Sequence, residues 1–236
     1  MNHIYCISGL GADKRIFQKL DLRATELHFI EWELPAPGDT MRTYALKLAR
    51  QINHPTVTLI GVSFGGMLAS EIERCYQEQK NGIISKPGSM LDPGLVIEKT
   101  ILISSCKSPV EFPSLLRLAA ATKIYKAVPY QFILRNNRLN RFVFDPKSKN
   151  EELMLKRLML SENDLPLIKK SIQIILRWKA GSPGNIVHIH GSADRLLTPR
   201  KVKPDYWIKG GDHFMVWNKA AEISAIINQL LPGSTK

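Results

Sequence analysis

The sequence predicts an α/β fold: a mostly parallel six-stranded sheet with helices on both faces, plus an inserted helical segment. Three observations carry this expectation. Residues 4–7, 56–59 and 100–104 are short runs of apolar and β-branched side chains, with the density of strands buried on both faces. Stretches of helical spacing separate the strands, so the connections are crossovers and the strands run parallel. Small-residue loops rich in Gly, Ser and Asp follow several of the strands.

In chain order, residues 4–7 form the first strand, and Ser8-Gly9-Leu10-Gly11-Ala12-Asp13 is the loop leading from it into a short helix at 14–20. Residues 27–33 alternate apolar and polar as an edge strand does. Pro35 to Asp39 makes a turn, and Met41, Ala45, Leu48 and Ile52 mark one face of a helix. The strand at 56–59 runs into Ile60-Gly61-Val62-Ser63-Phe64-Gly65-Gly66, after which 67–76 has helical composition with no breaker. Residues 82–93 read as a surface loop of unusual length, and 100–104 as the next buried strand.

The strand rhythm then stops. Residues 113–127, 130–137, 151–160 and 165–178 all read as helices, the last with Leu165, Ile168, Ile172, Ile175 and Leu176 on one apolar face. Ala180 to Gly184 is the return hinge into a strand at 186–190, and 206–208 is a further short strand. Ile223, Ile226, Ile227, Leu230 and Leu231 give the stripe of a closing helix, which Pro232-Gly233 stops. The core is therefore expected over 1–106 and 181–236, with an insertion over 107–180.

The centre of the chain is the serine between two glycines. Gly61 and Gly65 flank Ser63 as in G-x-S-x-G, where the missing Cβ atoms let a strand and a helix approach closely and let the serine occupy a strained corner. A helix starting there aims free N–H groups and its positive end at whatever the hydroxyl attacks. Such a hydroxyl needs a base, and the base a carboxylate to fix its tautomer. Gly191-Ser192-Ala193-Asp194-Arg195-Leu196-Leu197-Thr198-Pro199 and Gly210-Gly211-Asp212-His213-Phe214 supply them on loops after later strands, in the order Ser63, Asp194, His213. Asp212 and Glu111 are the competing carboxylates. Asp212, adjacent to His213, points away from it in an extended segment.

With these three loops the chain resembles the α/β-hydrolases: G-V-S-F-G, H-G-S-A-D-R-L-L-T-P and G-G-D-H-F stand at the family's three catalytic positions. The resemblance implies a serine hydrolase, most often a carboxylic ester hydrolase, with Ser63, Asp194 and His213 as catalytic residues. It further implies oxyanion donors at Leu10 and Phe64, although many relatives begin the first loop with His-Gly where this chain has Ser8-Gly9. By the same resemblance 107–180 is a helical lid, and no cofactor is needed. A serine at the elbow argues against the dehalogenase and epoxide hydrolase relatives, which place Asp there. Acyltransferases, C–C bond hydrolases and hydroxynitrile lyases use the same triad, and some members are noncatalytic receptors or scaffolds; the sequence does not separate these.

Composition bounds the partners. The chain has 236 residues and a formal net charge of +12. Residues 107–180 hold 15 Lys or Arg and 6 Asp or Glu, so +9 of that charge sits in the insertion. Arg135, Arg138 and Arg141, interleaved with Phe132 and Phe142, invite a nucleic-acid reading, but a solvated helix face is the simpler account and no nucleic acid is expected. Steering of an anionic acyl substrate, such as an acyl-coenzyme A thioester, is a third reading of the same charge. No apolar run approaches a membrane span and the amino end lacks the pattern of a secretory signal, so the cytoplasm is the expected location. Cys6, Cys75 and Cys106 are odd in number and widely spaced, as buried thiols are. None has a Cys or His neighbour at metal-ligand spacing, and no metal is expected. His188 and His190 alternate with apolar residues as packed strand residues, whereas His3, His28 and His54 lie off the strand-end loops and receive no role.

Overall fold

The computed structural model describes residues 2–23, 25–83, 90–122, 165–179 and 184–231. The strands are β1 (Asn2–Ile7), β2 (Thr25–Phe29), β3 (Thr56–Val62), β4 (Val96–Ile103), β5 (Ile186–Gly191) and β6 (Tyr206–Ile208). They form one six-stranded sheet in the order β2-β1-β3-β4-β5-β6, and every pairing is parallel. The chain starts in the interior, steps out to β2, then crosses back over β1 to β3. The loops leaving β1 and β3 diverge at that reversal and open a crevice at the carboxyl ends of the strands. Residues 8–11 and Ser63 are thereby neighbours by topology alone.

Strand periodicity divides the core into two faces. Tyr5, Ile7, Leu59 and Leu102 pack with α1 (Met41–Ala49) and α2 (Phe64–Lys80), around the buried Tyr44, Leu48, Leu68 and Ile72. Ile4, Cys6, Ile60, Ile101 and Ile103 face the other way, onto Ile16, Phe17 and the closing helices α5 (Met215–Asn218) and α6 (Ala220–Leu230). Thr40 caps α1 through a reciprocal pair with Thr43, satisfying two donors that a helix start would otherwise leave open. The three cysteines are free and buried, and burial pushes each thiol upward, Cys75 to about 11.

Several boundaries differ from the sequence expectation. The edge strand ends at Phe29, not at residue 33, because beyond Ile30 the Gln51 side chain takes over the ladder's role, accepting from Glu31 N at 2.9 Å and donating to Glu31 O at 3.0 Å. Strand β4 begins at Val96, four residues early, since its first half alternates exposed Val96 and Glu98 with buried Ile97 and lacks the apolar density of its second half. The short helix after β1 is a single 3-10 turn, Lys14–Phe17, capped by the Asp13 carboxylate. Of the insertion, α3 (Ser114–Thr122) and α4 (Leu165–Arg177) are described, and they pack on each other. The helices expected at 130–137 and 151–160, the arginines 135, 138 and 141, and residues 84–89 of the 82–93 loop lie outside the described residues. Trp178 Nε1 donates to the buried Glu71 at 3.0 Å and Lys170 Nζ to Pro35 O at 2.7 Å, so the return of the insertion is fastened to the core.

His188 and His190 are fully buried in β5, as packed residues. Burial pushes the His188 imidazole down to about 3, and His190 downward as well. A histidine neutral when folded and free to charge when unfolded binds more protons in the unfolded state, so stability must fall as pH drops from about 6.5 towards 3, by at most about 1.4 kcal/mol per pH unit for each group. Urea denaturation at pH 7 and pH 4.5 should show this loss in the wild type and a smaller one in His188→Leu.

Candidate active site

The site is built where β3 meets α2. Ser63 adopts φ 52 and ψ −117, outside the regions open to most L-residues, and its strain persists because the surroundings leave the chain no other path. The glycines explain how. A Cβ on Gly65 would stand 2.2 Å from Ile7 O and 2.3 Å from Ser8 O, and one on Gly61 would stand 2.4 Å from Gly65 O. These obstacles are backbone, so no side chain can swing aside. Ser105, from the segment after β4, donates its hydroxyl to Ser63 O at 2.6 Å and braces the corner from the opposite side.

His213 and Asp194 arrive from the loops after β6 and β5, on the other side of the sheet. His213 Nε2 lies 2.9 Å from Ser63 Oγ, and His213 Nδ1 lies 2.8 Å from Asp194 Oδ2. With Nδ1–H donating to the carboxylate, Nε2 presents its lone pair to the hydroxyl. Asp194 is buried, and its other oxygen accepts the N–H groups of Leu196 and Leu197, each at 2.9 Å. Burial alone would raise the carboxyl pKa. The histidine beside it, with these N–H donors, outweighs that effect and holds it below the usual carboxylate range. Of the two competing carboxylates, Asp212 accepts from Phe214 N at 2.8 Å and from Asn218 Nδ2, tying down the start of α5, while Glu111 accepts from Lys107 N at 2.6 Å.

The loop after β1 closes beside the serine. Ala12 N donates to Gly9 O at 3.1 Å, Ser8 Oγ donates to Ala12 O at 2.9 Å, and a Cβ on Gly9 would touch Ser63 Cβ at 3.4 Å. Leu10 sits in this turn, and Phe64, as the first helical residue, has no intrahelical acceptor for its N–H. The departure from His-Gly also has a structural account. Ser8 is buried and its hydroxyl binds the loop to itself and to the indole of Trp32, whose Nε1 lies 2.9 Å from Ser8 Oγ and from Ala12 O. The Trp32 ring stacks on Phe64 with centroids 5.5 Å apart. Trp32 is the site-shaping residue that sequence reasoning does not single out. Trp32 reads as the end of an edge strand, whereas Ser104 and Ser105 read as small residues after a central strand that either line the pocket or serve packing.

An interior parallel sheet with a strained serine after β3, a histidine after β6 and an aspartate after β5 defines one architecture. The chain has the α/β-hydrolase fold. No protein-family model and no curated protein matches the sequence. Solved structures do match the α/β-hydrolase fold seen here, at low identity. A lipase-esterase related protein from Clostridium acetobutylicum ATCC 824 is 14% identical with a TM-score of 0.65, over 98% of this chain and 94% of that one. YbtT, the type II thioesterase of a yersiniabactin NRPS/PKS biosynthetic pathway, is 16% identical with a TM-score of 0.63, over 100% and 94%. The putative non-heme bromoperoxidase BpoC from Mycobacterium tuberculosis H37Rv is 12% identical with a TM-score of 0.67, over 100% and 94%. Among the described residues no helix is long and apolar enough to cross a membrane.

Proposed function

We propose that the protein is a serine hydrolase that cleaves a carboxylic ester or thioester through an acyl-enzyme on Ser63. The observation that carries this reading is the unbroken hydrogen-bond chain from Ser63 Oγ through His213 to Asp194, starting from a backbone held in a strained corner. In this mechanism Ser63 Oγ attacks the acyl carbon while His213 Nε2 takes its proton. The tetrahedral oxyanion is held by the N–H groups of Phe64 and Leu10, each worth about 3 kcal/mol in the transition state. His213 then protonates the departing alcohol or thiol, a water takes its place, and the same sequence in reverse releases the acid and restores Ser63. Asp194 keeps the imidazole in its working tautomer and stabilises the imidazolium that forms.

Esterases and a type II thioesterase among the structural neighbours favour an acyl substrate over the other reactions that use this triad. In this reading residues 107–180 form the lid, with α3 and α4 as its described ends, and no metal or cofactor takes part. The deciding experiment is labelling with a fluorophosphonate probe, followed by matched ester and thioester substrates of graded acyl length. Stoichiometric labelling with turnover of the panel is the expected result. A folded wild type that does not label would overturn the assignment in favour of a noncatalytic receptor or scaffold.

A further inference from the structure

Three histidines without a role in the triad meet at the opposite end of the sheet. Parallel register puts His3 beside Glu26 and Tyr5 beside His28, so these four residues share one face of the β1–β2 pair. His54, just before β3, completes the group, and one ring nitrogen from each histidine lies within 4.8 Å of the others. His3 Nδ1 is 3.1 Å from His28 Nε2, and the Glu26 carboxylate approaches to 3.5 Å from His3 Nδ1 and 3.9 Å from His28 Nε2.

We infer that His3, His28 and His54, with Glu26, form a binding site for a divalent transition-metal ion of the zinc class, joining β1, β2 and the lead into β3. Neutral imidazoles with one carboxylate are the donor set that such ions take. Two ligands at about 2.0–2.1 Å from a tetrahedral ion lie roughly 3.3 Å apart, close to the 3.1 Å between His3 Nδ1 and His28 Nε2; the His3 ring stacks on His54 with centroids 3.7 Å apart, and binding turns it out of that stack while Glu26 closes in from 3.5 and 3.9 Å. The layer behind the ligands is also in place. The Tyr5 hydroxyl donates to Asn53 Oδ1, so it can only accept from its other two neighbours, Asn53 N at 3.1 Å and His54 Nδ1 at 2.8 Å. His54 is thereby fixed with its proton on Nδ1 and its lone pair on Nε2, the arrangement that a ligand histidine with an oriented second nitrogen requires. All three histidines are partly exposed, so an ion can reach them. The site lies towards the amino ends of β1 and β3, away from Ser63, with His28 reaching it from the short β2, and its role is to fasten strands together.

The test is equilibrium dialysis of untagged protein against Zn2+, with bound metal measured by elemental analysis, and visible spectroscopy of the Co2+-loaded form. One equivalent per chain is expected, with the absorption bands of tetrahedral Co2+ and a raised unfolding temperature. His28→Ala and His54→Ala should each weaken binding by at least tenfold. Tyr5→Phe, which keeps the ring and removes the group that fixes His54, should weaken it by about tenfold. Glu26→Gln, on an exposed side chain and harmless to folding, should also weaken it and shift the Co2+ bands. Fluorophosphonate labelling of Ser63 should be unchanged in all four, which separates this site from the catalytic assignment. Sub-stoichiometric Zn2+ in the wild type, or equal affinity in wild type, Tyr5→Phe and Glu26→Gln, would overturn the inference.

Discussion

Ser63→Ala should lower kcat by about 10⁶-fold, because removing the nucleophile of a triad disables the whole relay. The residual rate, about 10³-fold or more over water, would come from the oxyanion donors and from binding alone. The substitution leaves φ 52 in place, so the fold should keep its strain and its stability should change little. Ser63→Gly makes the contrast informative. Glycine adopts this backbone freely, and relief of about 1–3 kcal/mol of strain should raise the unfolding temperature by several degrees while activity is equally lost. Kinetics and calorimetry on the two variants would show that the corner is held for reactivity at the expense of stability. Equal unfolding temperatures for Ser63→Ala and Ser63→Gly would count against stored strain.

The second large effect is expected at Asp194→Asn, about 10⁴-fold in kcat. The amide keeps the shape of the site but removes the acceptor that holds the proton on His213 Nδ1. The imidazole then favours the tautomer with its proton on Nε2, where it cannot accept from Ser63. The same carboxylate contributes to stability with a defined sign. Its folded pKa is depressed, so its contribution is present above the unfolded value of about 3.9 and is lost as pH falls through the lower folded value. The gap in denaturation midpoint between wild type and Asp194→Asn should therefore be full at pH 6 and shrink below pH 4. A gap that does not change between those pH values would exclude the linkage.

Much of this was legible in the sequence, for a physical reason. Ser63, Asp194 and His213 each follow a strand, and the glycines that permit the close approaches leave a local signature, so motif and chain order name the three residues that the fold brings together. The strands were found wherever both faces are buried. They were misjudged where one face is wet, as at Val96 to Glu98, or where a side chain replaces a strand partner, as Gln51 does for Glu31. The histidine cluster was illegible because its members are 25 and 26 residues apart and are joined only by the register of β1 against β2 and by the turn into β3. Nothing in the local sequence of His3, His28 or His54 announces the others. Trp32 was hidden for the same reason, since it acts on residues of another strand's loop.

The distance along the chain between the partners of the triad has a kinetic meaning. Ser63 and His213 are 150 residues apart, and β5 and β6 join the sheet only after the whole insertion has been spanned. Sheets built from such distant pairings fold slowly, because the entropy of closing a long loop is lost before any contact compensates it. On a chain emerging amino end first, β1 to β4 can pair while His213, the base of the proposed mechanism, has yet to be synthesised. On the proposed mechanism, the nascent protein therefore carries Ser63 in an inert state until its last strand docks.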